Sequence, residues 1–140
     1  MAMTLAILKP DSVEAGSAGK MLAHLQQEGF TIRGIKMLRL TRAQAEAFYE
    51  VHKERPFYGS LVEFMTSGPV MPVALEREDA VPHLRKTMGA TDPAKAEANT
   101  LRKRFGANIE RNAVHGSDSD ENAAIEIAFF FSRAELQAAR

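Results

Sequence analysis

Asn112-Ala-Val-His-Gly-Ser-Asp-Ser119 joins a short apolar run to the amphipathic segment 120–131, and the reading of that junction decides the fold. Residues 113–115 read as a short last strand. Gly116 permits close backbone approach, and Ser117, Asp118 or Ser119 can cap the helix that follows. A strand that hands over directly to a helix belongs to a layered α/β architecture. His115 ends the strand. Its neutral imidazole keeps a free lone pair near neutral pH, because the unperturbed pKa is about 6.5, and so can act as a nucleophile. A surface-loop histidine in front of a helix would give the same octet.

The segments upstream supply the partners of that last unit. Met3–Lys9 is a short apolar run broken by Pro10-Asp11, which reads as a buried strand. Lys9 at its end is either a solvated strand-end lysine or a charge aimed at a phosphate. Ala18, Met21, Leu22 and Leu25 have helical spacing between Ser17 and Glu28, with Gly29 as stop and His24 at the boundary of the stripe. Phe30–Leu40 reads as a strand whose alternation slips at Gly34, which predicts a bulge. Thr41-Arg-Ala-Gln44 and Ser60-Leu-Val-Glu63 have the form of capping boxes. They open one helix to about Lys53 and another ending at Ser67-Gly68-Pro69. These two helices form a hairpin whose tip offers Phe57 and Tyr58, either as a staple or as a platform for a planar base.

Val70–Leu75 reads as a buried strand in spite of Pro72, which lacks a ladder donor. Glu78-Asp79 place acids at the start of a helix with Val81, Leu84 and Met88 inward. Residues 90–111 carry only weak helical signals, and some 20 irregular residues in a compact domain point to function. In the last long helix Ala123, Ala124, Ile127, Ala128, Phe130 and Phe131 form the apolar side, and Ser132–Arg140 reads as a surface turn with a helical stub. The order of units suggests an α/β sandwich of about four strands with helices on one face, and the split βαβ arrangement fits the count.

A chain of 140 residues with 45% hydrophobic content is one ordinary domain, residues 1–140. No apolar run reaches membrane-spanning length and no targeting pattern is visible. The lack of cysteine excludes disulfides and thiolate metal sites, and fits a cytoplasmic chain. Net charge is zero, which argues against nucleic acid as the primary partner. Charge is nonetheless uneven. Lys86, Lys95, Arg102, Lys103, Arg104 and Arg111 make the stretch ahead of His115 basic and suggest an anionic ligand.

If His115 receives a phosphoryl group, the chemistry needs in-line placement, cations around the phosphate oxygens and a partner for the second ring nitrogen. Lys9, Arg85 and Arg102 can supply charge, Thr91 and Tyr49 hydroxyls, and Glu126 a carboxylate for the ring. Neither Gly-x-x-x-x-Gly-Lys-Ser/Thr nor Gly-x-Gly-x-x-Gly occurs, so the two commonest phosphate-cradling loops are absent. No two histidines stand at helix-ligand spacing for a metal.

The octet 112–119 resembles the signature of nucleoside diphosphate kinases. Leu8-Lys-Pro-Asp11, Arg55-Pro-Phe57, Ser67-Gly-Pro69, Met88-Gly-Ala-Thr91-Asp-Pro93, Thr100-Leu-Arg102 and Glu126-Ile fall in the same family order and spacing, so the resemblance covers essentially the whole chain. It implies a ferredoxin-like fold with a four-stranded antiparallel sheet and helices on its faces. It also implies transfer of the γ-phosphate of a nucleoside triphosphate, typically ATP, to a nucleoside diphosphate. The implied mechanism is ping-pong through a phosphohistidine on His115, with broad base and sugar tolerance.

By the same resemblance Glu126 and Ser117 orient the histidine, and Tyr49 brings a hydroxyl to the reactive phosphate. Lys9 and Asn112 bind sugar hydroxyls and terminal phosphate, Phe57 stacks the base, and Arg85, Thr91 and Arg102 bind phosphate. Mg²⁺ enters on the nucleotide's phosphates and not in a protein cage. The family assembles as homo-oligomers, with a tetramer the first expectation and a hexamer or dimer the others. A non-catalytic nucleotide-binding or regulatory module on the same fold is the alternative. The chain departs from the family pattern at Asn99, Lys103-Arg104, Arg77 and Gly16-Ser-Ala-Gly19, and none of these is an assigned catalytic position.

Overall fold

The computed structural model describes residues 2–138. Four strands, β1 (Ala2–Leu8), β2 (Thr31–Ile35), β3 (Met71–Arg77) and β4 (Val114–Gly116), form one sheet in the order β2-β3-β1-β4. Every neighbouring pair is antiparallel. The helices are α1 (Pro10–Glu14), α2 (Ala18–Gln27), α3 (Arg42–Phe48), α4 (Tyr58–Met65), α5 (Ala80–Met88), α6 (Leu101–Phe105), α7 (Asp120–Phe130) and α8 (Arg133–Ala138). The topology is the ferredoxin-like split βαβ arrangement. The tail's last two residues lie outside the described span.

Helices cover both faces of the sheet, a correction to the one-faced layer suggested by the order of units. Along β1, Leu5 and Ile7 pack with α3, α4 and α7, while Ala6 and Leu8 pack with α2 and α5. Strands buried on both faces read as continuous apolar runs, so the run carried no face information.

Most local signals hold. The Thr41 capping box forms in full, with the Gln44 N–H donating to the Thr41 hydroxyl and the Gln44 side chain accepting from the Thr41 N–H. The register shifts between Ile32 and Gly34, as the slip in alternation predicts. Gly34 also admits Phe131, whose ring carbons would lie 2.9 Å from a Cβ there. Pro72 sits in a central strand but keeps its carbonyl in the ladder, accepting from the Lys36 N–H at 3.1 Å. Its missing donor falls where β2 has already ended at Ile35.

Other expectations need correction. The helix after Thr41 stops at Phe48 and continues as a 3₁₀ turn over Glu50–His52. Ser60 caps nothing: α4 already starts at Tyr58, and the Ser60 hydroxyl donates to the Phe57 carbonyl. Tyr58 is half-buried and donates to the Glu46 carbonyl, so of the two aromatics only Phe57 projects at the tip. Asp79 is the N-cap of α5 in a left-handed conformation, φ 52°, and the first turn itself holds no acid. His24 is buried and is not a boundary residue. Ala124 and Ala128 are exposed, because α7 is apolar on nearly every side and periodicity cannot choose its inner stripe.

Candidate active site

The pairing of β4 with β1 aims His115. It stands opposite Ile7, so its ring points to the face covered by α3 and α7, while Val114 points to the other core. Gly116 next to it lets the Met88 and Leu84 side chains come close: a Cβ there would meet Met88 at 2.7 Å and Leu84 at 3.1 Å, so both would have to shift. Ser119 caps α7 by accepting from the Asn122 N–H at 3.0 Å. This cap fixes the turn that brings Glu126 back over the histidine.

The His115 Nε2 and Glu126 Oε1 lie 2.8 Å apart, and the Ser117 hydroxyl donates to the same Oε1 at 2.9 Å. A carboxylate only accepts, so the proton is on Nε2 and the ring's lone pair is on Nδ1. Phe48 and Tyr49 meet the ring edge-on, at centroid distances of 5.5 and 6.0 Å. Burial raises the pKa of the Tyr49 phenol, with Glu126 adding to the effect, so it stays a neutral hydroxyl.

Lys9 is the last residue before α1 and is buried. Its ammonium donates to Asn112 Oδ1 at 2.8 Å and to the Glu110 carbonyl at 3.0 Å, above the ring of Phe64. Burial lowers its pKa to about 8; Asp11 and Glu110 oppose the shift and Arg102 adds to it. The Asn112 amide donates to the Thr91 carbonyl at 3.1 Å, which ties the irregular span to β4.

Arg102 is buried too. It donates from Nη1 to the Gly89 carbonyl at 3.1 Å and from Nη2 to the Val114 carbonyl at 2.9 Å, and its buried Nε has no partner among the described residues. A guanidinium carries five N–H groups, so this one retains donors for an anion. Burial, then the nearby charge of Arg85, lowers its pKa to about 10. Arg85 itself is exposed on α5.

Lys9, Phe57, Ser60, Leu61, Thr91, Ile109 and Glu110 line a cavity of about 400 Å³. Phe57 and Ile109 expose their apolar surfaces there, 48% and 62% accessible. The sequence-expected residues thus fall into two groups: His115, Glu126, Ser117 and Tyr49 around the imidazole, and Lys9, Asn112, Thr91 and Phe57 at or beside the cavity. Arg102 bonds the carbonyl of Val114, next to His115, and feels the charge of Arg85.

Sequence reading missed Phe48, Ile109 and the role of Asp11. Phe48 reads only as a core aromatic, and Ile109 shows itself by being an exposed large apolar side chain. Asp11 was visible in the Lys-Pro-Asp motif, but its function lies in a contact 102 positions away.

A family model described as nucleoside diphosphate kinase matches residues 2–136. The chain belongs to the nucleoside diphosphate kinase family. Nucleoside diphosphate kinases of a Geobacter species and of Sulfurimonas denitrificans are 54% and 55% identical to it over 136 residues, covering 97% of this chain and 99% of each relative. The solved Aquifex aeolicus nucleoside diphosphate kinase superposes with TM-score 0.94 at 48% identity, over 96% of this chain and 97% of that one. A halophilic nucleoside diphosphate kinase from Halobacterium salinarum, solved in complex with CDP, gives TM-score 0.90 at 36% identity, over 95% and 89%. These nucleoside diphosphate kinase relatives favour the enzyme over the non-catalytic module weighed from sequence. Among the described residues no group of three or more His, Asp or Glu could hold a metal ion, and no helix is long and apolar enough to cross a membrane.

Proposed function

We propose that this chain transfers the γ-phosphate of a nucleoside triphosphate to a nucleoside diphosphate, with His115 Nδ1 as the carrier. The observation that carries the reading is the single Glu126 oxygen that engages both His115 Nε2 and the Ser117 hydroxyl. It commits one ring nitrogen and leaves the other as nucleophile.

In the first half-reaction the Nδ1 lone pair attacks the γ-phosphorus. The N–P bond forms, the bond to the β,γ-bridging oxygen breaks, and the diphosphate leaves with that electron pair. Positive charge grows on the imidazole as this happens, and Glu126 stabilises it through the Nε2 proton. Lys9, Arg85 and Arg102 neutralise the phosphate oxygens, and Tyr49, Thr91 and Asn112 add hydrogen bonds. In the second half-reaction a terminal oxygen of another diphosphate takes the phosphoryl group back along the same path. Phe57 at the mouth of the cavity stacks on the base, and a π-face is common to every base, which gives broad tolerance.

Mg²⁺ enters as part of the substrate, bound to the nucleotide's phosphates, where it supplies charge neutralisation. The site offers cations and hydroxyls to a phosphate chain, which suits a nucleotide that brings its own metal. The Halobacterium salinarum relative was solved with CDP, a nucleotide of the product class.

The chain acts as one domain in the cytoplasm and as a homo-oligomer, a tetramer before a dimer or hexamer. β2 is an edge strand, with Ile35 exposed on it and Met37 exposed just beyond, which supports assembly; a light-scattering mass tests this. Incubation with γ-labelled ATP is expected to label the protein with an acid-labile phosphate, and His115→Ala to abolish it. Labelling that survives the substitution overturns the mechanism.

A further inference from the structure

Ala113, two positions before His115, is fully buried and has φ 77°, a conformation that alanine adopts only when its surroundings impose it. The surroundings here are Lys9, Asp11 and Ser12, from the other end of the chain. The Ala113 N–H donates to Asp11 Oδ2 at 3.1 Å. Its carbonyl accepts from the Lys9 N–H at 2.9 Å and from the Ser12 hydroxyl at 2.8 Å. Across it the Val114 N–H donates to the Asn112 carbonyl at 2.9 Å, closing a three-residue turn of the rare positive-φ kind.

Of these bonds, the one from Asp11 is the only contact from a charged side chain. Its other carboxylate oxygen, Oδ1, is buried and meets no donor among the described residues, so the bond from the Ala113 N–H is the one that places this side chain. The turn sets the direction in which the chain enters β4, and both residues flanking Ala113 feed the site. Asn112 binds the Lys9 ammonium, and Val114 leads directly to His115, whose ring is pinned at its far side by Glu126.

We propose that Asp11 is a positioning residue that locks the positive-φ turn at Ala113 and thereby aims His115. The proposal rests on the reading of His115 as phosphoryl carrier. Released from Asp11, Ala113 relaxes toward negative φ, Asn112 and β4 rotate, and Nδ1 leaves the in-line position. A displacement of this kind costs on the order of 100-fold in rate. Asp11 is also an anionic neighbour of Lys9, so its removal has a second effect, a weaker hold on the Lys9 proton.

The test is single-turnover phosphorylation of the full chain by γ-labelled ATP, alongside nucleotide affinity as a function of pH. Asp11→Ala is expected to phosphorylate about 100-fold more slowly. Asp11→Asn keeps an oxygen that can accept from the Ala113 N–H and is expected to recover most of the lost rate. Having lost the charge, it should still show its alkaline fall in nucleotide affinity at lower pH than the parent. Ala113→Gly takes φ 77° without help, so adding it to Asp11→Ala is expected to restore at least tenfold of the rate. The proposal is overturned if Asp11→Ala phosphorylates at the parent rate, if the asparagine and alanine variants lose rate equally, or if glycine at 113 rescues nothing. If Asp11→Ala does not fold, Asp11→Asn and the glycine double variant decide by the same criteria. Labelling that persists in His115→Ala would instead sink the carrier assignment, so the two failures are separable.

Discussion

Glu126 Oε1 sits 2.8 Å from His115 Nε2, across a turn of only ten intervening residues that Ser119 caps. The pair is local in sequence, yet it fixes which of the two ring nitrogens can react. Replacing Glu126 by Gln removes the charge while keeping the shape. A hydrogen bond to a charged group contributes about 1.5–3 kcal/mol, so the phosphorylation rate should fall roughly 10- to 150-fold. Rapid-quench kinetics with labelled ATP measure it. A loss below threefold would mean that Glu126 does not hold the ring in the transition state.

Lys9 gives the site a pH limit on the alkaline side. Burial lowers its pKa to about 8 from an ordinary value near 10.5. In the proposed mechanism the charged form binds phosphate, so nucleotide affinity should be present below about 8 and decline as pH rises through it. A bound phosphate pulls the proton back, hence binding at pH 8 should take up protons from buffer. Calorimetry of ADP binding in two buffers of different ionisation heat detects this uptake, and Lys9→Met should abolish it.

Phe57 is nearly half exposed at the mouth of the cavity, with the His52 ring 5.5 Å away between centroids. Stacking of a base on an aromatic ring is worth about 1–3 kcal/mol. Phe57→Ala should therefore raise KM about 5- to 150-fold by a similar factor for purine and pyrimidine diphosphates, with a smaller effect on kcat. Steady-state assays with four bases test both parts. An effect confined to one base would show edge recognition in place of stacking.

His24 makes the fold sensitive to mild acid. It is buried, with Arg104 Nη1 at 2.5 Å from its Nδ1, so the neutral ring accepts from the guanidinium. Burial, then the Arg104 charge, lowers its pKa below the usual 6.5, against a smaller pull from Glu28. The unfolded chain therefore takes up this proton at higher pH than the folded one. Stability present above pH 6.5 is lost as pH falls below it. Urea unfolding at pH 7.5 and 5.0 should show that loss in the parent and a reduced loss in His24→Gln. Equal losses in the two proteins would exclude His24 as the source.

The sequence by itself determined the parts. Periodicity, Pro10, Gly89 and the Thr41 capping box placed most strands and helices within a few residues, because propensity, caps and turns are encoded in contiguous side chains; the strand read over Phe30–Leu40 is the exception and ends at Ile35. It also contained the reactive inventory, since His115, Glu126 and the cations can be named from residue type and motif order. Tertiary structure alone decided which face each residue serves. Leu5 and Ala6 are indistinguishable as neighbours in an apolar run, yet they enter opposite cores once helices cover both sides of β1. It decided the burial of His24 and the exposure of Ala124, which depend on what packs against a helix and not on its own pattern. It decided the pairing of Lys9 with Asn112 and of Asp11 with Ala113, contacts 103 and 102 positions apart. Such contacts form only after the sheet order β2-β3-β1-β4 brings both ends of the chain side by side. The candidate nucleophile can be named from the sequence, and its orientation comes from the sheet.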